Sequence, residues 1–149
     1  MYLYRTMTLL LLSIALLFTS CKEEPPLEQK IIYKNLHLEN ADFHEKELLE
    51  ADFSGAHLNS ANFAHAKLNN AYFIKADLTS ANLTHVSGEH VNFQGANLTD
   101  ADLSHGNFSF SYFEKATFTN VKADGANFHS TQGLSVETIA NLKRSGALF

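Results

Sequence analysis

From Phe43 onward, large apolar residues return at every fifth position: Phe43, Leu48, Phe53, Leu58, Phe63, Leu68, Phe73, Leu78 and Leu83. After one gap the series resumes with Phe93, Leu98, Leu103, Phe108, Phe113 and Phe118, and after a second it ends with Phe128. Leu36 and Leu38 already fit the register upstream, and no insertion breaks it as far as about Thr131. Two places before most of these residues stands a small one, as in Ala51, Ala56, Ala61, Ala96 and Ala126, and a polar residue, often Asp or Asn, lies between. On a helix, residues five apart point about 140° from each other, so the apolar positions would spiral over the whole surface. On a flat strand, alternate members of an odd-spaced series fall on opposite faces. A coil that turns a corner every five residues buries them all, and four such sides close a square of twenty.

Stacking follows from that geometry. Phe53, Phe73, Phe93 and Phe113 form one predicted interior column, and Leu38, Leu58, Leu78, Leu98 and Phe118 form another. Coils at the ordinary strand spacing of about 4.8 Å give not quite five turns, a rod roughly 20–25 Å long. Gly88 and Ala123 stand where a large residue belongs, and each has Val two positions earlier, Val86 and Val121, which predicts an exchange of volume within a layer. Lys46 at a normally small inward site predicts a frayed or capped first coil.

The Ala-Asp/Asn-Leu/Phe-X-X pattern resembles the pentapeptide-repeat family over roughly two-thirds of the chain. That resemblance implies an all-β, right-handed quadrilateral β-helix, here spanning 31–133, with Ile31-Ile32-Tyr33 as an entering strand. After Gly133 the pentads stop. Ser135 as N-cap, Glu137 in the first turn, and Lys143 and Arg144 ahead of Gly146 predict a short helix within 134–149. Similar Gly-Leu-Ser-x-Glu tails close many family members, which implies a cap in which Ile139, Leu142 and Phe149 cover the last coil.

The N-terminus has a different organisation. Arg5 precedes an apolar run from Leu9 to Phe18, then Thr19-Ser20-Cys21. A run of about ten residues suits a signal-peptide core and falls short of the roughly twenty a spanning helix needs. The sequence before Cys21 resembles the bacterial lipobox, which implies a lipoprotein signal peptide over 1–20 and lipidation at Cys21. Residues 21–30, with both prolines, read as a polar tether. Lys22-Glu23-Glu24 resembles an export signal that sends some bacterial lipoproteins to the cell surface. The expected location is the cell envelope, lipid-anchored at the periplasmic face of the outer membrane or at the cell surface.

The formal net charge is -5, without the basic stripe a nucleic-acid binder presents. All eight histidines lie in the repeat tract. His65, His85 and His105 are predicted to stack above Glu45, and His37 and His57 make a second pair. Solvated histidines are the plain reading, since a stack near 4.8 Å is wide for a shared Zn²⁺ with bonds of about 2.0–2.1 Å. A metal site or a pH-responsive surface on the His65, His85 and His105 column is the alternative. Tyr72 and Tyr112 stack around Asn92, with Phe110 and Ile74 also outward, as candidate partner-binding residues. Thr79, Thr99 and Thr119 are predicted to form a hydroxyl ladder. No convergent catalytic set is visible, a filled rod offers walls and no pocket, and no cofactor is expected.

The expectation is therefore a non-catalytic structural or protein-interaction module, joined to the membrane through a lipid, with a protein partner, no nucleic acid and a possible homodimer. The family resemblance also suggests a gyrase-binding DNA mimic. Export opposes it, and so does the charge pattern: from Leu36 to Thr131 twelve acids face five bases, yet no two acids stand twenty residues apart.

Overall fold

A computed structural model describes residues 30–149 of the chain. The signal peptide expected over 1–20, the lipidation site Cys21 and the tether up to residue 29 lie outside the described residues. From Ile32 on, every fifth residue pairs in parallel with the residue twenty further along: Ile32 with Asp52, His37 with His57, Asp42 with Asn62, Glu47 with Lys67, and so on to Tyr112 with Gln132. Four such pairings per coil make four walls. Backbone bonds run between coils on both sides of each bridge, as Phe53 N–H to the Tyr72 carbonyl at 2.7 Å and Tyr72 N–H to the Ala51 carbonyl at 2.9 Å.

Between walls the chain turns, and most turns close with a bond from the small residue back to the large one, as Ala56 N–H to the Phe53 carbonyl at 3.0 Å. The residue before the small one sits at φ near +60° in every pentad, although only Gly55, Gly95 and Gly125 in the repeats are glycine there. Asn, Ser, His, Lys, Glu, Asp and Phe110 hold the same left-handed conformation at the other corners. That conformation costs a non-glycine residue roughly 1–2 kcal/mol, and the ladders on either side offset it.

The bridge position explains its own chemistry. Asp or Asn there reaches forward to accept the N–H two residues on, as Asp52 from Ser54 at 2.9 Å, Asn92 from Gln94 at 2.9 Å and Asp102 from Ser104 at 3.0 Å. The polar residue of the pentad therefore anchors the turn that follows it.

Inside, Phe53, Phe73, Phe93 and Phe113 stack at 4.9, 5.2 and 5.0 Å between ring centroids, as their spacing predicts. Tyr33 is the first rung of this column, 4.7 Å from Phe53 and 13° from parallel, and not merely part of an entering strand. In the second column Leu58, Leu78 and Leu98 are fully buried, while Leu38 and Phe118 at its two ends are half-buried. Lys46 does not fray the first coil. Its side chain is exposed, its N–H bonds the Phe43 carbonyl at 3.1 Å, and its carbonyl accepts the Lys67 N–H at 2.9 Å.

The volume exchange works differently from the simplest reading. Val86 is buried, but the atoms nearest the vacant Cβ position of Gly88 are the Asn107 carbonyl oxygen, Val91 Cγ2 and Phe108 Cδ1. Among the described residues the closing turn bond is missing at Val86, Val91 and Val121, the three valines at the small inward site, whereas Thr131 at the same site keeps it at 3.2 Å. The two Cβ methyls of valine take up room beside the backbone and open the turn, while Thr131 has a hydroxyl in place of one methyl and donates it to the Phe128 carbonyl at 2.9 Å.

Helix α1 spans Val136–Arg144, with the Ser135 hydroxyl accepting from the Thr138 N–H at 3.0 Å. Leu142 is buried, Ile139 only partly. After the helix, Ala147-Leu148-Phe149 repeats the pentad logic once more. Ala147 is buried, Leu148 bridges Asn127, and Phe149 stacks on Phe128 at 5.5 Å. The fold is thus a four-walled rod with a solid Phe/Leu centre, and any chemistry sits on its walls.

Candidate functional site

Two histidine ladders form on adjacent parts of the surface. His65, His85 and His105 stack as predicted, at 4.8 Å and 0° and then 4.9 Å and 21°, and they occupy the left-handed corner position. Glu45 lies at the same corner of the first coil, with its carboxylate 3.4 Å from His44 Nε2. Among the described residues this column forms no group of three donors converging on one point.

His37 and His57 form the second ladder, 4.5 Å apart and 9° from parallel, on a bridge pair of the neighbouring wall. Here a carboxylate joins them: Glu39 Oε1 lies 2.9 Å from His37 Nδ1. One donor atom from each of His37, Glu39 and His57 lies within 4.8 Å of the other two. All three side chains are exposed. The hydrogen bond with His37, and a further one donated by the Glu39 backbone N–H, hold the Glu39 carboxyl below the usual carboxylate range.

Further along the same wall the polar ladder runs through Asp77. It accepts from Asn59 Nδ2 at 2.7 Å and from the Thr79 hydroxyl at 2.6 Å, and Asn97 Nδ2 reaches the Thr79 hydroxyl at 2.9 Å. The threonines do not bond one another; each of Thr79 and Thr99 bonds the Asp or Asn of its own turn. Partial burial pushes the Asp77 carboxyl up, but the bonds from Thr79 and Asn59 outweigh it and hold the group below its ordinary range. Asp52 and Asp102 behave in the same way, with Ser54 and Ser104 as the bonding residues.

The aromatic candidates separate. Phe110 and Tyr112 flank the buried Ser111 and are 43% and 42% exposed. His90 stacks on Phe110 at 5.1 Å and His129 meets its edge at 6.1 Å, which builds a broad aromatic corner. Tyr72 stands two coils away on the Tyr112 column, with Lys30 Nζ 4.5 Å above its ring. Ile74 is half-buried and lines a shallow cleft with Lys34 and Lys75. Beside Tyr112, a hollow of about 200 Å³ is lined by Asn92, Gln94, Glu114, Gln132 and Gly133.

On every wall the bridged neighbour of a carboxylate is neutral or basic: Asp42 faces Asn62, Glu47 faces Lys67, Asp52 faces Tyr72, Asp77 faces His57 and Asn97, and Asp102 faces Asn82 and Lys122. The phosphate spacing of a duplex is not reproduced on any of them.

The family model "Pentapeptide repeats" matches in eight copies, over residues 56–87 and 92–129. Among solved structures, a pentapeptide-repeat protein of the Arabidopsis thaliana thylakoid lumen is 29% identical, with a TM-score of 0.72 over 75% of this chain and 77% of its own. A pentapeptide-repeat protein involved in heterocyst differentiation regulation, from the cyanobacterium Nostoc, is 22% identical over 67% of this chain and 60% of its own, with a TM-score of 0.38. QnrB1, a plasmid-mediated fluoroquinolone resistance protein, is 11% identical over 68% of this chain and 55% of its own, at 0.37. No curated protein sequence matches the chain. The eight matched copies, the bridges recurring every twenty residues and the shared β-helix identify residues 56–87 and 92–129 as pentapeptide repeats.

Proposed function

We propose that the chain is a non-catalytic interaction module of the cell envelope, held to the membrane by a lipid on Cys21 and recognising a protein partner with its walls. The observation that carries this reading is the solid interior. Seven Phe and five Leu side chains stand among the largest fully buried residues, so a ligand meets only the outside of the rod. The site most suited to a protein partner is the corner of His90, Phe110 and Tyr112, where large rings stand exposed side by side. Exposed aromatics grouped on a rigid frame lose little entropy on docking and contribute large apolar contact. Thr19-Ser20-Cys21 after the apolar run supports the anchor. The C-terminal helix α1, with Leu142 buried, serves this reading as a cap that keeps the last coil from pairing with other chains.

A photo-crosslinking residue placed at Phe110, in intact cells, tests the partner. A discrete crosslinked protein that vanishes with Tyr112→Ala supports the corner; crosslinks equal in pattern to those from an exposed site on another wall, such as Asn120, overturn it. Incorporation of labelled palmitate that survives Cys21→Ser overturns the anchor.

A further inference from the structure

We propose that His37, Glu39 and His57 form a binding site for one divalent transition-metal ion of the Zn²⁺ or Cu²⁺ class. Two imidazoles and a carboxylate are the donor set such ions take, whereas Mg²⁺ and Ca²⁺ prefer oxygen alone. The stacked imidazole pair is not itself the argument, because any two histidines twenty residues apart stack on this fold, as His65 and His85 also do. What singles out this pair is Glu39, which stands two residues beyond His37 on the same wall and already touches its ring nitrogen at 2.9 Å.

The donor atoms are close but not yet converged. They lie within 4.8 Å of one another, while a tetrahedral ion with bonds of about 2.0–2.2 Å holds its ligands roughly 3.4 Å apart. The remaining movement is small and needs only side-chain rotation. The terminal χ2 of His and χ3 of Glu are broad torsions, and all three side chains are exposed and free to turn. The backbone does not have to move. His37 and His57 are fixed across a bridge, with the His57 N–H on the Leu36 carbonyl at 2.9 Å and the Leu38 N–H on the His57 carbonyl at 2.8 Å. Holding two ligands on a rigid frame removes most of the ordering cost that a flexible pair would meet. Three protein ligands leave an outward position open to water or to a donor from another molecule.

Asp77 continues the same column after His57 and faces it across the next bridge. Its negative charge would favour a cation bound at His57. On the other ladder, the residue following His105 in the corner column is Gly125, which adds no donor.

The test is a calorimetric titration of ZnCl₂ into the full, tag-free chain in detergent micelles. The expected result is one ion per chain. His57→Ala and His37→Ala should each weaken binding at least about tenfold, since even outer-shell partners of metal ligands are worth roughly 10–100-fold. Glu39→Gln should weaken it less, and His85→Ala should leave it unchanged. With Cu²⁺, paramagnetic resonance should show coupling to two nitrogens in the parent chain and one in His57→Ala. An unchanged circular dichroism melt for each variant separates loss of ligand from loss of fold. The proposal is overturned by the absence of saturable binding, by binding that survives both His37→Ala and His57→Ala, or by a loss in His85→Ala as large as that in His57→Ala.

Discussion

The Ser111 hydroxyl donates to the Gly88 carbonyl at 3.0 Å, reaching across from one coil to mend a turn in the coil before it. The same oxygen accepts the Val91 N–H at 3.0 Å. Elsewhere that N–H and carbonyl would bond each other directly, but at Val91 the turn is open and Ser111 stands in the gap. The serine is fully buried at a site where most pentads have alanine.

Replacing Ser111 with Ala should therefore destabilise the rod by about 1–3 kcal/mol, the usual result of stranding a buried donor and acceptor. Val91→Ala allows the direct turn bond to form, so Ser111→Ala should cost less in that background. Urea denaturation of the four-member cycle measures the coupling. Equal costs in both backgrounds would mean the hydroxyl does not bridge the turn.

Acid should weaken the fold through the turn carboxylates. Asp52, Asp77 and Asp102 are held below their ordinary range, so their contribution is complete above the unfolded value of about 3.9 and fades as pH falls through the lower folded value. The expected profile is a melting temperature that is level near neutrality and drops below about pH 4. Asp77→Asn removes one titrating group and should flatten that drop. A variant profile parallel to the parent would place the acid sensitivity elsewhere.

The corner residues carry a conformational cost that glycine would remove. Lys115 sits at φ +62° and Asn70 at +61°. Lys115→Gly should stabilise by a few tenths to about 1 kcal/mol, the left-handed penalty less the greater entropy glycine loses. Asn tolerates this region, so Asn70→Gly should be close to neutral. Gly133 offers the reverse case. At φ +83° its absent Cβ would lie 2.4 Å from the Glu114 backbone nitrogen, so Gly133→Ala should destabilise by more than about 1 kcal/mol. Differential scanning calorimetry of the three variants checks the order.

Phe149 closes the C-terminal end by stacking on Phe128. Since it remains partly exposed, Phe149→Ala should cost about 1–2 kcal/mol, below the 3–5 typical of a fully buried Phe. Hydrogen exchange should speed up in the last coil, at Phe128 and Gly125, before it changes at Phe73. Uniform acceleration along the rod would contradict a local closing role.

The square spiral was legible because its core residues recur without interruption, and a repeat of that depth admits few structures. Phe149 was expected in the cap and does cover the last coil, stacking on Phe128; Tyr33 was read only as part of an entering strand, although it lies twenty residues before Phe53 and so in register with the column it opens. The left-handed corners were masked, since His, Lys, Glu and Phe share with Gly and Asn a site that local preference assigns to the latter two. Ser111 reads as one more small inward residue, and only the opened turn at Val91 gives its hydroxyl a task. The His37 and His57 pair could be read from its spacing. The part played by Glu39 required knowing that a residue two places past a bridge lies on the same wall, a rule the Asp-to-turn bonds reveal only in three dimensions.

The pentad and the coil are periods of different length, and the two respond differently to insertion. Adding five residues keeps every Phe and Leu pointing inward yet carries each downstream side chain a quarter turn round the axis, onto the next wall. Adding twenty restores every wall and lengthens the rod by one rung, about 5 Å, the spacing of the Phe ladder. Evolution can thus rewrite what this surface displays without disturbing what holds it up, and a relative that differs by one pentad presents a rotated face on an unaltered core.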